Sequence, residues 1–164
     1  MLKPGLDPTP ASPVFGSREV SQVAQVSLRQ LQWWDERNFV SPHQGGRRRV
    51  YLAEDVIVIM VSAELRRRGF SLQKIRRGVR FLQREIARRL PAVLSSPSEL
   101  LFLTDGKSVY LEDQPGRVIE LLKKARQPMF LVSVSDHVKR LVEFQKAQRS
   151  KKGARRSENQ LALF

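Results

Sequence analysis

Three residues, Ala24-Gln25-Val26, separate two short stretches of helical periodicity, and that spacing constrains the fold more than any other feature. Upstream, Val20 and Val23 fall at helical spacing within Ser17–Val23. Downstream, Ser27 with Gln30 three residues later has the form of a capping box. Its hydroxyl accepts from an orphan N–H of the first turn, and the amide reaches back. The helix that starts there buries Leu31 and Trp34 and ends near Asn38, a residue type that tolerates a left-handed cap. Two short helices joined by a turn of about three residues make a helix-turn-helix unit. Its second helix turns Arg29, Gln32 and Trp33 outward, with Arg37 at its far end.

Beyond Asn38, Gly45-Gly46 predicts a tight turn between two short extended stretches, with Arg47, Arg48 and Arg49 just past it. Three arginines on a hairpin tip repel one another, so a phosphate backbone is their natural counter-charge; a solvated loop is the alternative. A helix is predicted over Ala53–Arg68 and stopped by Gly69. Ser71 caps another that runs to Leu90, where Pro91 is expected to end it. The apolar stripe of that last helix (Leu72, Ile75, Val79, Leu82 and Ile86) is heptad-like, which suits a dimer seam and an internal core equally.

Charge points to the kind of partner. Thirty Lys and Arg stand against sixteen Asp and Glu, a net of +14. The excess is segregated, +9 over residues 1–91, zero over 92–144 and +5 over 145–164. Basic ends around a neutral middle suit a polyanion such as double-stranded DNA. No apolar run approaches the roughly 18 residues of a membrane span, and no amphipathic helix with large aromatic anchors supports the other polyanion, an anionic membrane surface, so no membrane partner is expected. Cysteine is absent, which removes disulfides and thiolate chemistry and suits a reducing cytoplasm. The leader, residues 1–14, holds four prolines and no apolar h-region, and is expected to be disordered.

Residues 15–82 resemble the MerR family of bacterial transcriptional regulators. The likeness is carried by VSLRQLQWW at the turn and recognition helix, NFVSP at the exit into the wing, RVYLAEDV at the wing-to-helix junction and LRRRGFSLQKI at the last helix pair. It implies a winged helix-turn-helix over 15–91 that binds DNA, with Ser27 opening the recognition helix. Arg29 stands where the family places a basic residue early in that helix, and Arg49 with Tyr51 matches the wing's R-x-Y. Trp33 and Trp34 replace a paired aromatic, usually tyrosine. Gln32 stands in place of a common arginine, so the family's operator preferences do not transfer. The resemblance covers a little under half of the chain.

The second half departs from the long coiled coil and sensor usual in MerR-type activators. Apolar runs at Leu100–Thr104 and Lys107–Leu111 flank Asp105-Gly106, a hairpin pattern. A helix over Arg117–Arg126, a strand in MFLVSV and a helix capped by Asp136 follow, giving a β-β-α-β-α module over 99–148 behind a linker at 92–98. The fold class is therefore α+β, closing in a basic tail over 149–164 expected to be disordered. No nucleophile–base pair and no metal-ligand spacing emerges, so neither an enzyme, a metal nor a cofactor is expected.

The tail ends Gln160-Leu161-Ala162-Leu163-Phe164, a string that resembles the short peptide by which bacterial replication and repair proteins dock on the polymerase sliding clamp. The resemblance puts Gln160 in a polar pocket and Leu161, Leu163 and Phe164 against an apolar one; folding back onto the protein's own surface is the alternative.

The expected function is transcriptional regulation by a homodimer in the bacterial cytoplasm, at the nucleoid. Base edges fall to Arg29 and Gln32, and the flanking backbone or minor groove to Arg47, Arg48 and Arg49. Two other classes stay open. One is an excisionase-like DNA-maintenance or architectural factor recruited to the clamp. The other is an antitoxin-like or signalling adaptor.

Overall fold

The computed structural model describes residues 13–95 and 98–162. The chain opens on strand β1 (Val14–Gly16) and helix α1 (Ser17–Ala24), which stops when Gln25 takes a left-handed φ of 55°. Helix α2 (Leu28–Glu36) starts where Ser27 Oγ accepts from the Gln30 N–H at 3.0 Å. Only this half of the capping box forms; the Gln30 side chain makes no hydrogen bond among the described residues. Asn38, at φ 51°, turns the chain out of α2, and Phe39 packs its ring 5.2 Å from Trp34.

Strands β2 (His43–Gly45) and β3 (Arg48–Leu52) form a hairpin whose turn needs the positive φ of Gly46. They pair His43 with Val50 and Gly45 with Arg48. The other edge of β3 is taken by β1, which pairs Phe15 with Tyr51, in the sheet order β1-β3-β2. Val14 is therefore ordered in a sheet and is not the end of a disordered leader. The reason is Phe15, 2% exposed in the core, whose burial secures a three-residue strand despite the prolines before it. Residues 1–12 lie outside the described residues.

Helix α3 (Ala53–Arg67) is the central post. Every residue from Asp55 to Ala63 is buried, and a helix enclosed all round must sit inside the protein. Glu54 and Asp55 in its first turn and Arg66 and Arg67 in its last oppose the helix dipole. Gly69, at φ 94°, ends it. Helix α4 (Leu72–Ser95) buries Ile75, Val79, Leu82 and Ile86 against its own chain, so the heptad-like stripe is internal core. Pro91 does not end α4. It removes one N–H, that facing the exposed Ala87, where solvent can take the carbonyl, and the helix runs one more turn.

The second sheet has order β5-β4-β6, built from β4 (Leu101–Thr104), β5 (Val109–Glu112) and β6 (Phe130–Ser133), all antiparallel. Asp105 Oδ1 closes the β4–β5 turn by accepting from the N–H groups of Lys107 and Ser108 at 2.8 and 2.6 Å. Those bonds hold its carboxyl below the usual range. Helix α5 (Pro115–Lys124) follows β5, and α6 (Val134–Leu161) follows β6.

Three expectations for this half are corrected. Ser133, not Asp136, caps α6, accepting from the Asp136 N–H at 3.2 Å. The basic tail from residue 149 is helical as far as Leu161, because its Lys, Arg, Gln and Ala residues favour helix even where nothing is buried. The halves are not independent units on a linker. α4 occupies 92–95, residues 96–97 lie outside the described residues, and one continuous core joins Trp34 and Val58 to Phe102, Val132 and Leu141.

Candidate nucleic-acid interface

α2 is held from behind by Leu31 and Trp34, 3% and 1% exposed, so its remaining face is free. That face carries Leu28, Arg29, Gln32, Trp33, Glu36 and Arg37, all exposed. Ser27, at the cap, is also exposed. Gln32 Nε2 donates to Glu36 Oε1 at 3.1 Å, which orients its amide along the helix. The Arg37 guanidinium lies 5.0 Å from the centre of the Trp33 ring, a cation–π stack at the surface. Leu28 was not among the residues singled out from the sequence. An apolar side chain 49% exposed at the first turn of this helix is its signal.

On one side of α2 stands the β2–β3 hairpin, with Arg47, Arg48 and Arg49 all exposed around its turn. Arg49 Nη1 reaches Asp35 Oδ2 at 3.3 Å and so ties the hairpin to α2. The base of the hairpin is fixed to α3 by buried polar chemistry. Asp55 Oδ2 accepts from the Leu52 N–H at 3.1 Å and sits 2.9 Å from His43 Nε2. Tyr51 is a correction to the sequence reading: its side chain is 2% exposed, inside the core and not on the surface. Burial, with Asp35 nearby, pushes its hydroxyl pKa up to about 12.

Trp33 forms a ridge between two grooves. One, of about 570 Å³, runs along the first turns of α2 and takes in Ser27, Arg29, Gln32 and Arg66. The other, of about 760 Å³, lies between the end of α2 and the start of α4 and is lined by Trp33, Arg37, Gln73, Arg76, Arg77 and Arg80. Arg76 Nη2 donates to the Arg37 carbonyl at 2.9 Å and locks the two helices together. Arg66, Arg76, Arg77 and Arg80 escaped the sequence reading because only folding brings them beside α2. The structure thus brings Ser27, Arg29, Gln32, Trp33 and Arg37 onto the exposed face of α2 with Arg49 tied to that helix, leaves Arg47 and Arg48 exposed beside Arg49 on the hairpin, and puts Tyr51 in the core.

Residues 15–81 match the family described as MerR HTH family regulatory protein. The chain carries a MerR-family helix-turn-helix domain. Relatives include uncharacterized HTH-type transcriptional regulators of Mycobacterium bovis and Mycobacterium tuberculosis, each 28% identical over 149 residues, covering 85% of this chain and 63% of theirs. The chain therefore spans less than two thirds of those relatives' length. A solved transcriptional regulator of the MerR family from Bacillus cereus aligns over 85% of this chain and 99% of its own, with a TM-score of 0.37 and 20% identity.

The far end of the chain is separate from this surface. Gln160 and Leu161 occupy the last turn of α6, both exposed, with Leu161 at 77%. Leu163 and Phe164 lie outside the described residues. No helix among the described residues is long and apolar enough to cross a membrane, and no group of three or more His, Asp or Glu there could hold a metal ion.

Proposed function

We propose that this chain is a MerR-type transcriptional regulator that binds duplex DNA in the cytoplasm, with α2 in the major groove and the β2–β3 hairpin as its wing. The observation that carries this reading is the free face of α2 between two arginine-bearing flanks, on a domain matching the family. An α-helix fits the major groove, where Arg29 and Gln32 can reach base edges and Leu28 can meet a thymine methyl group. Arg47, Arg48 and Arg49 supply sequence-independent attraction to phosphates, and Trp33 with Arg37 packs against the sugar–phosphate wall.

A homodimer would place two such helices on an inverted repeat about one helical turn apart. Because the α4 stripe is buried in the chain's own core, the dimer contact belongs to another surface. Selection from random duplex DNA at near-physiological salt tests the whole reading. We expect an enriched motif that relaxes at one position in Gln32→Ala. Arg49→Ala should instead weaken all sequences alike. A profile unchanged by both substitutions overturns these roles.

A second reading concerns the chain's end. Leu161, 77% exposed on a helix that has left the body, is not folded back onto the chain, which favours a partner for the Gln160–Phe164 peptide. Capture of the full chain by purified sliding clamp, abolished on deletion of the last five residues, is the expected result. Equal capture of both forms removes the peptide from the account.

A further inference from the structure

The edge of a sheet presents unpaired backbone N–H and C=O groups, and a folded chain blunts or covers them. In the first sheet the edge strands β1 and β2 are only three residues long, and β2 runs into the hairpin arginines. In the second sheet Arg68 Nη1 takes the Leu131 carbonyl of edge strand β6 at 2.8 Å. The other edge, β5, has no such device. It pairs with β4 residue for residue, from Val109 with Thr104 to Glu112 with Leu101, and carries no bulge, proline or lysine. Its outer side makes no backbone hydrogen bond among the described residues. Helix α5 does not run along that side. β5 and β6 are both antiparallel to β4, so α5, which joins them, crosses the face of the sheet over β4.

We propose that two copies of this chain meet at the outer edge of β5, each β5 pairing antiparallel with the other about a two-fold axis at Tyr110, so that the two three-stranded sheets become one. The proposal rests on the homodimer reading given above and supplies its contact; it does not depend on the DNA contacts of α2. A two-fold axis sets a strand against its own reverse, so every contact is made twice. Facing residues share a side of the sheet and a hydrogen-bonding direction, so odd positions must face odd and even face even. The register centred on Tyr110 meets that condition and also suits the side chains. It sets the half-buried Tyr110 opposite the partner's Tyr110, an aromatic cross-strand pair, and Val109 opposite the partner's Leu111. It also brings Lys107 opposite the partner's Asp113 at both ends. Lys107 and Asp113 are exposed and form no ion pair among the described residues. Within one chain they flank opposite ends of β5, which holds them roughly 10 Å or more apart.

Sedimentation of the full chain without DNA tests the contact. The wild-type chain is expected at twice its 18.9 kDa. Lys107→Glu alone, or Asp113→Lys alone, places like charges opposite each other at both ends and should raise the dissociation constant about tenfold or more. The double variant Lys107→Glu, Asp113→Lys restores opposite charges with the sides exchanged and should return to within about threefold of wild type. It carries the same change in the β4–β5 turn as the first single variant, so its recovery separates charge pairing from a disturbed turn. Circular dichroism should be unchanged throughout, since both side chains are exposed. A dissociation constant unmoved by the single variants, or a double variant as weak as they are, overturns the β5 contact and leaves the homodimer to another surface. A wild-type chain that stays monomeric at every concentration overturns the contact and the homodimer together, and leaves the α2 reading to its own test.

Discussion

His137 lies 5% exposed in the first turn of α6, with Nε2 2.6 Å from Glu64 Oε2. Burial holds its pKa below the usual 6.5, against the pull of Glu64 and with help from Arg140 and Arg67. Neutral imidazole can donate one N–H, here to Glu64, and Nδ1 has no partner among the described residues. The folded value is lower than the unfolded one, so stability is complete above about pH 6.5 and falls as the pH drops toward the folded value. The unfolded chain then takes up a proton that the folded one resists. Urea melts should show this loss, and His137→Gln should flatten part of it; an identical acid slope in the variant would place the titration elsewhere. Tyr51 gives the second prediction at this scale. Tyr51→Phe should leave DNA affinity within about twofold, because the ring is core, whereas Tyr51→Ala should cost about 3–5 kcal/mol of stability. A tenfold loss of affinity in the phenylalanine variant, read by anisotropy, would return the hydroxyl to the interface.

Gly78 is where α4 meets the second sheet. A Cβ there would stand 3.0 Å from Val109 Cγ1 and 3.1 Å from Phe102 Cζ, and Phe102 is 1% exposed with nowhere to move. Gly78→Val should therefore lower stability by about 2 kcal/mol through overpacking, seen as a lower urea midpoint at unchanged m-value. A neutral outcome would mean that the sheet gives way easily. Helices α1 to α4 were legible because their apolar residues repeat at helical spacing and Ser27, Asn38 and Gly69 punctuate them. Strand β1 was not, since a three-residue strand among prolines is specified by its pairing with β3, far along the chain. The length of α6 was hidden because the polar, charged composition that marks disorder also has high helix propensity. The α2 face was legible from its periodicity. The arginines of its α4 flank are visible in the sequence opposite the apolar stripe, but only the fold sets them beside α2.

At the scale of the whole molecule, the question is whether the helix-turn-helix half can stand without the second half. Among the described residues, three ties cross between them besides the shared core. Arg68 Nη1 donates to the Leu131 carbonyl at 2.8 Å, Arg140 Nη2 donates to the Val23 carbonyl at 3.2 Å, and His137 meets Glu64. Helix α3 is the deciding element. Val58, Ile59, Met60 and Val61 are at most 1% exposed, and α6 covers part of what α1 and α4 leave open. Removing the second half would uncover apolar surface that, at about 25 cal/mol per Å², outweighs the few kcal/mol by which a small domain is stable. We therefore expect one cooperative transition, with the fluorescence of Trp33 and Trp34 and the far-ultraviolet dichroism of the whole chain losing signal at the same urea concentration. Phe102→Ala, made in the second sheet, should move the tryptophan midpoint down by the equivalent of about 3–5 kcal/mol although both tryptophans lie on α2. A tryptophan transition that stays in place while the dichroism shifts would show that the halves fold separately, and a fragment ending near residue 95 would then bind DNA on its own.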